Sequence, residues 1–433
     1  MKQIDYENHL NILRHELQVA LGCTEPIAIA YAGAKAREVL GRTPESCHVR
    51  CSGNIVKNVK GVVVPNSGGL RGIEVAAALG IVGGDAGREL AVLESVTDED
   101  RAEVRRLLAA GFCSCELVKG VENLYIEAIV KADGCSASVE IQEQHNNITK
   151  IVKNGEIIFE KCGGSEEKQE CEGDAGSIDL HSIIEFADTA KLDDIQPVLA
   201  KQIEYNKAIS EEGLCGDWGV RAGKNPLALN PEPGVHIKAR AAASAGSDAR
   251  MSGCPLPVVI NCGSGNQGIT VTMPIIVYAQ EYGMPDDLVY RALALANLAA
   301  VHQKKYIGRL SAYCGVVSAA TASACGVAYM LMRRRGESNE ELYRVICDTI
   351  TNSICTIGGM VCDGAKSSCA TKISVAVENA LTAMDLAEKG CVFQPGEGLT
   401  MDCAEDTIKA VGRMGREGMR ETDIEILNIM LGH

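Results

Sequence analysis

The sequence predicts an α+β protein: a large, mainly α-helical domain joined to a smaller α+β domain that contains an antiparallel sheet. Three observations carry this. From Ser177 to the C-terminus, one helix-like pattern follows another. Between residues 86 and 172 the pattern changes to short strand-like runs separated by Gly, Asp and Asn turns. Aromatic residues make up only 4% of the chain while there are 45 Gly, so the core must close by packing small side chains. The expected division is 1–85 as the N-terminal part of the large domain, 86–172 as the small domain, and 177–433 as the remainder of the large one.

The length of 433 residues suits two or three domains. Apolar residues at 46% and charged residues at 23% are ordinary for a globular protein. The net charge of −15 argues against nucleic acid and against anionic membrane surfaces as partners. The opening MKQIDYENHL has no cationic-then-apolar signal segment. Ala312 to Met332 is the most apolar stretch, but Ser, Thr, Cys and Gly interrupt it, so it reads as a buried core helix. Nineteen cysteines, an odd count without a signal segment, do not read as a secreted disulfide framework. A cytoplasmic, reducing compartment fits, with most thiols serving as small buried apolar groups, Cys325 and Cys347 among them.

In chain order, residues 5–20 carry a helix pattern that stops at Gly22-Cys23-Thr24-Glu25-Pro26. Thr24 reads as the N-cap of an Ala-rich helix from about Ile27 to Leu40, with Pro26 in its first turn. Cys23 then stands at a helix N-terminus, where the dipole is expected to lower its thiol pKa. His48–Val56 and Val59–Val64 read as short strands. Pro65-Asn66-Ser67-Gly68-Gly69 reads as a turn opening a small-residue helix, suited to an anion or simply a cap. Asp98–Ala110 is an amphipathic helix, and strand-like runs follow from Cys115 to Phe159. Residues 161–176 form a polar acidic linker. Helices are expected at Ile183–Ala190, Ile195–Ser210, Asp286–Lys305, Ala312–Arg335, Asn339–Ser353, Ala370–Leu386 and Ala404–Glu417.

The stretch richest in chemistry is Gly359 to Cys369, where Cys362 and Cys369 sit in a turn of Gly, Asp, Lys and Ser. Thiols in such a loop suit a soft metal or an iron–sulfur cluster better than a core. A third ligand is needed. Cys314, at the entry of a small-residue helix beside Gly315, is the first choice and Cys262 its rival. Zinc is less well supported, since no Cys-x-x-Cys or Cys/His spacing occurs around these thiols. Cys262 to Gly268 contains G-x-G-x-x-G, which raises a nicotinamide oxidoreductase as a remote alternative. No alternating strand–helix pattern follows it, and Pro274 interrupts the helix it would open. Ser264, Asn266 and Gln267 there suit a carboxylate instead. His302 to Lys305 reads as a helix end complementing the dipole, and His48 and His145 need no function.

Taken together, GCTEP at 22–26, PNSGG at 65–69, NCGSGNQG at 261–268, AYCG at 312–315 and GMVCDGAKSSC at 359–369 resemble the L-cysteine desulfidase family. That family is related to the α-domain of the iron–sulfur L-serine dehydratases. The resemblance implies an oxygen-sensitive [4Fe–4S] lyase without pyridoxal phosphate, converting L-cysteine to pyruvate, ammonia and hydrogen sulfide. By motif, Cys314, Cys362 and Cys369 would hold the cluster and Cys23 would be the candidate base. Asn66, Ser67, Ser264, Asn266 and Gln267 would hold the amino-acid substrate, and Lys366 would bind its carboxylate or balance the cluster's charge. L-serine is the alternative substrate. The chain ends Met430-Leu431-Gly432-His433, without the C-terminal cysteine that serine dehydratases use as a further ligand. Small-residue helical faces suit a homodimer.

Overall fold

The computed structural model describes residues 1–161 and 173–432. The protein is a mainly helical α+β fold, as expected. Residues 162–172, most of the stretch read as a linker, lie outside the described residues.

Helix α1 (Gln3–Glu16) leads into β1 (Val19–Leu21), and α2 (Thr24–Leu40) follows at once. Strand β2 (Ser46–Ser52) turns directly into α3 (Gly53–Lys60). The expected strand at Val59–Val64 is therefore not formed. Ile55 and Val59, four apart, are both fully buried on one side of a helix, and that period wins over their β-branched preference. Next come α4 (Ile73–Gly83), α5 (Asp98–Ala109), and strands β3 (Cys113–Val118), β4 (Tyr125–Ala132), β5 (Cys135–Gln142), β6 (Ile148–Lys153) and β7 (Glu156–Glu160).

These strands form one sheet in the order β3-β2-β4-β5-β6-β7. The meander from β4 to β7 is antiparallel, while β2 runs parallel to β3 with Cys47 opposite Cys113. β2 thus lies among the strands of the small α+β region, although it precedes residue 86. Helices α2 and α4 cover the sheet and touch through small residues. A Cβ placed on Gly80 would stand 2.0 Å from the Ala30 carbonyl oxygen.

The helical half comprises α6 (Leu180–Thr189), α7 (Leu192–Cys215), α8 (Lys224–Ala228), α9 (Val235–Met251), β8 (Pro257–Val259), α10 (Gly265–Tyr282), α11 (Asp286–Ile307), α12 (Val316–Arg335), α13 (Asn339–Ile357), α14 (Cys369–Glu388), α15 (Ala404–Arg413) and α16 (Arg420–Leu431). β8 pairs antiparallel with β1, tying the N-terminal segment to this half. α10 continues through Pro274, so that proline does not end the helix. Among the described residues, α12 alone is long and apolar enough to cross a membrane, and 89% of its apolar window is buried in the protein core.

Candidate functional site

A cavity of about 100 Å³ opens where the N-terminal segment, the sheet and the helical half meet. Its thiol wall is built by two segments laced together. Cys314 N–H donates to the Met360 carbonyl at 2.9 Å, and Cys362 N–H donates to the Ala312 carbonyl at 2.6 Å. Tyr313 and Val361 form an isolated antiparallel bridge between them. Cys369 opens α14, and Cys314, Cys362 and Cys369 all line the cavity. The loop bearing Cys362 rests on α3. Gly364 has φ +90°, and a Cβ there would stand 2.4 Å from the Lys57 carbonyl oxygen, so only glycine fits.

The thiols differ in acidity. The Cys314 thiol donates to Cys362 and pulls the Cys362 thiol down to about 6, against the opposing effect of burial and helped by Lys57, the Gly364 N–H and Lys304. The same hydrogen bond, together with burial, pushes Cys314 up. The two thiols thus titrate as a pair, which gives up its first proton more readily than an isolated thiol.

The opposite wall comes from the N-terminus. Cys23, not Thr24, occupies the N-cap position of α2, and its side chain makes no cap bond. Its thiol donates to Glu25 Oε2 at 3.1 Å, and Asn58 donates to Glu25 Oε1 at 2.9 Å. Thr24 Oγ1 donates to the Gly263 carbonyl at 3.0 Å. The expected lowering of the Cys23 pKa is overturned. Burial and the adjacent Glu25 push that thiol well above its usual range, outweighing Arg250 and the Glu25 backbone N–H. Burial works to raise Glu25, but His145, the Cys23 thiol, a backbone N–H and Arg250 prevail and hold its carboxyl below the usual range.

Ser264, Asn266 and Gln267 line the cavity at the start of α10. Arg250 donates to Asn266 Oδ1 at 3.1 Å. Its Nε, Gln267 Oε1 and Asn58 Oδ1 are buried without a hydrogen-bond partner. The glycines of the G-x-G-x-x-G run serve close packing. A Cβ on Gly268 would stand 2.0 Å from the Val259 carbonyl, and one on Gly265 2.3 Å from Arg250 Nε. The preceding strand β8 has three residues and pairs only with β1. That is not the parallel sheet a dinucleotide fold requires.

Three expected contacts lie outside the cavity. Asn66 spends its amide on the Leu93 and Val96 carbonyls at 2.9 and 3.2 Å, and its Oδ1 accepts from Arg101. Ser67 donates to the Leu70 carbonyl at 3.0 Å. Their loop acts from behind: Pro65 lies so close to Gly22 that a Cβ there would meet it at 2.2 Å. Lys366 pairs with Asp363 at 2.5 Å and caps the Gly364 carbonyl at 3.2 Å. The cations on the cavity wall are instead Arg250, Lys304, Arg309 and Lys372.

Sequence reasoning missed several lining residues. Glu25 stood inside a motif already marked, two residues past Cys23. His145, set aside as a turn residue, comes from the β5–β6 connection. It is 5% exposed, with Nε2 lacking any partner. Burial holds its imidazole pKa below the usual value, with Glu25 acting against that and Arg309 and Arg250 adding to it. Lys304, read as a helix-end cation, points inward and is 5% exposed; its neighbour Lys305 instead binds the Ala175 and Ile178 carbonyls. Cys262 also lines the cavity, and burial raises its thiol pKa.

Among the described residues, no three His, Cys, Asp or Glu side chains converge on a single metal ion. A lone zinc would need its sulfurs at about 2.3 Å from one point. An iron–sulfur cluster asks for something else: thiolates spread over one wall, each for its own iron, with donors and cations to balance the charge. Cys314, Cys362 and Cys369, flanked by Lys304, Lys372 and the Gly364 N–H, match that donor set.

A cavity lined by three thiols with cations beside them, and by the hydrogen-bonded Cys23 and Glu25 opposite, is an enzyme-type site in a mainly helical α+β protein. Residues 87–428 match the family described as serine dehydratase alpha chain. The chain belongs to that family, and its class is that of serine dehydratase-like lyases. Full-length relatives include the UPF0597 protein of Finegoldia magna, 46% identical over 98% of this chain and 99% of its own length. The UPF0597 protein of Lachnoclostridium phytofermentans is 45% identical, covering 98% and 100%, and that of Treponema denticola is 42% identical, covering 98% of each.

Proposed function

We propose that the protein performs [4Fe–4S]-dependent α,β-elimination of L-cysteine to pyruvate, ammonia and hydrogen sulfide. The observation that carries this is one cavity lined at once by Cys314, Cys362 and Cys369 and by the Cys23–Glu25 pair. The three thiols would hold the cluster, and the bound cluster would supply a Lewis-acidic iron for the departing group.

The chain's own residues account for the rest. Arg250, Asn266, Gln267 and Ser264 orient the amino acid through its carboxylate and ammonium; of their polar atoms, Arg250 Nε and Gln267 Oε1 are buried without another partner. The protonated Cys23 thiol cannot by itself take the Cα proton. It does so as its own proton passes to Glu25 Oε2, so the pair acts as one base. The enamine product then tautomerises and hydrolyses without further help. L-serine elimination by the same arrangement is the second reading, favoured by the family description.

The test is anaerobic reconstitution followed by side-by-side assays with L-cysteine and L-serine. Sulfide and pyruvate released in equal amounts from cysteine, lost together with the cluster absorbance in air, support the proposal. Cluster-loaded protein that releases neither sulfide nor pyruvate would refute it.

A further inference from the structure

We propose that Met251 sets the leaving-group preference of this site, favouring a β-thiol over a β-hydroxyl; the inference rests on the elimination reading above. Met251 is the last residue of α9 and is 1% exposed. It lines the cavity. With Cys23 and Val62 it forms a small apolar cluster separate from the main core, and Ala365 and Cys369 pack against it. Arg250 donates to Met251 Sδ at 3.3 Å, which fixes the thioether in place.

The cavity wall therefore grades from polar to apolar, with Glu25 against Cys23 and Arg250 against Met251 at the join. Around Glu25, Asn58, Arg250 and Gln267 it offers charges and buried polar atoms without partners. Around Met251 it offers sulfur and methyl groups, between Cys23 of the base pair and Cys369 of the ligand set. In an elimination, the β-substituent must lie between the group that takes the Cα proton and the metal that receives the leaving atom. That is the Cys23–Met251–Cys369 side. The charged end of the amino acid is then left to the polar side, where its partners are.

A thiol is a weak hydrogen-bonding group and is at home among sulfur and methyl groups. A hydroxyl buried there leaves water and finds no partner on Met251 or Ala365, and the nearby Arg250 Nη1 is already turned to Met251 Sδ and Asn266 Oδ1. The cost of an unmade hydrogen bond corresponds to roughly 10- to 100-fold in relative kcat/KM. A polar residue at 251 returns a partner to the hydroxyl and removes the apolar surface that suits the thiol.

The experiment uses full-length protein reconstituted anaerobically, as wild type, Met251→Gln and Met251→Leu. The glutamine variant should shift the cysteine-to-serine ratio of kcat/KM toward serine by roughly 10-fold or more. The leucine variant, still apolar, should keep the ratio within about threefold. A second readout needs no turnover. With methionine methyl groups labelled, the signal absent from the leucine variant is that of Met251. It should shift on adding L-cysteine and stay in place with L-serine at the same concentration. An unchanged ratio in a cluster-loaded glutamine variant, or a Met251 signal indifferent to cysteine, overturns the inference. If wild type eliminates from neither amino acid, the reaction assignment fails instead. The methyl signal then still decides whether a thiol occupies the Met251 side.

Discussion

Asp423→Ala should destabilise the protein far more than a change on a C-terminal helix ordinarily does. The Lys57 side chain is 1% exposed, and its ammonium forms an ion pair with Asp423 of α16, whose side chain is 14% exposed. The same ammonium donates to the Cys362 carbonyl at 3.3 Å. Removing the carboxylate leaves a buried charge with one neutral acceptor. Breaking a buried pair from one side costs about 3–5 kcal/mol. Because water reaches Asp423 in part, the lower end applies, about 3 kcal/mol. Urea unfolding of the apo protein, followed by circular dichroism, measures this as a lowered midpoint at unchanged slope. Lys57→Met combined with Asp423→Leu removes both charges and should recover most of the loss. Iron content after reconstitution should fall in the single variant, since the lysine that holds the Cys362 loop loses its anchor. A single variant within about 0.5 kcal/mol of wild type, or a double variant no better than the single, would refute the reasoning.

Other consequences can be checked in parallel. Gly364→Ala puts a Cβ against the Lys57 carbonyl in a left-handed conformation, so it should lose about 1–3 kcal/mol and most of its iron, read by unfolding and by metal analysis. Glu25→Gln removes the second cause, after burial, that raises the Cys23 thiol; alkylation of Cys23, followed by mass spectrometry of its peptide, should begin at lower pH than in wild type. Cys23→Ala should keep the cluster absorbance and lose turnover, and full activity in that variant would remove Cys23 from the base pair. His145 has a folded pKa held below the ordinary 6.5 by burial. Below that pH the unfolded chain takes a proton that the folded chain refuses, so His145 makes stability fall as pH drops and contributes nothing above it. His145→Asn should flatten that slope in unfolding midpoints measured from about pH 7 to pH 5.

Several helices were legible from a polar face set against an apolar stripe. α13 shows a period in Leu342, Val345, Ile346 and Ile350, and each is buried. α9 was not legible, because Ala239 through Met251 is buried almost throughout and its Ala, Ser and Gly carry no apolar stripe. The thiol wall was legible from turn composition, since Gly364 and its neighbours announce a loop rather than a core. The protonation of Cys23 was not legible. Helix position argued for a thiolate, while burial and the side chain of Glu25 decide for the thiol. Asn66 and Ser67 read as anion contacts because the sequence cannot show that Leu93, Val96 and Leu70 carbonyls claim them. Arg250, His145 and Lys304 come from α9, the β5–β6 connection and the end of α11. Only the packing of the sheet against the helical half brings them together.

In the proposed reaction Cys314, Cys362 and Cys369 would together hold one cluster with an iron open to substrate. Mössbauer spectroscopy of anaerobically reconstituted, iron-enriched protein tests it most directly. About four irons per chain are expected, one of whose signals moves on addition of L-cysteine, with the whole spectrum lost in Cys362→Ala. A Cys362→Ala protein with the wild-type spectrum, or a cluster in which every iron ignores cysteine, would contradict the account.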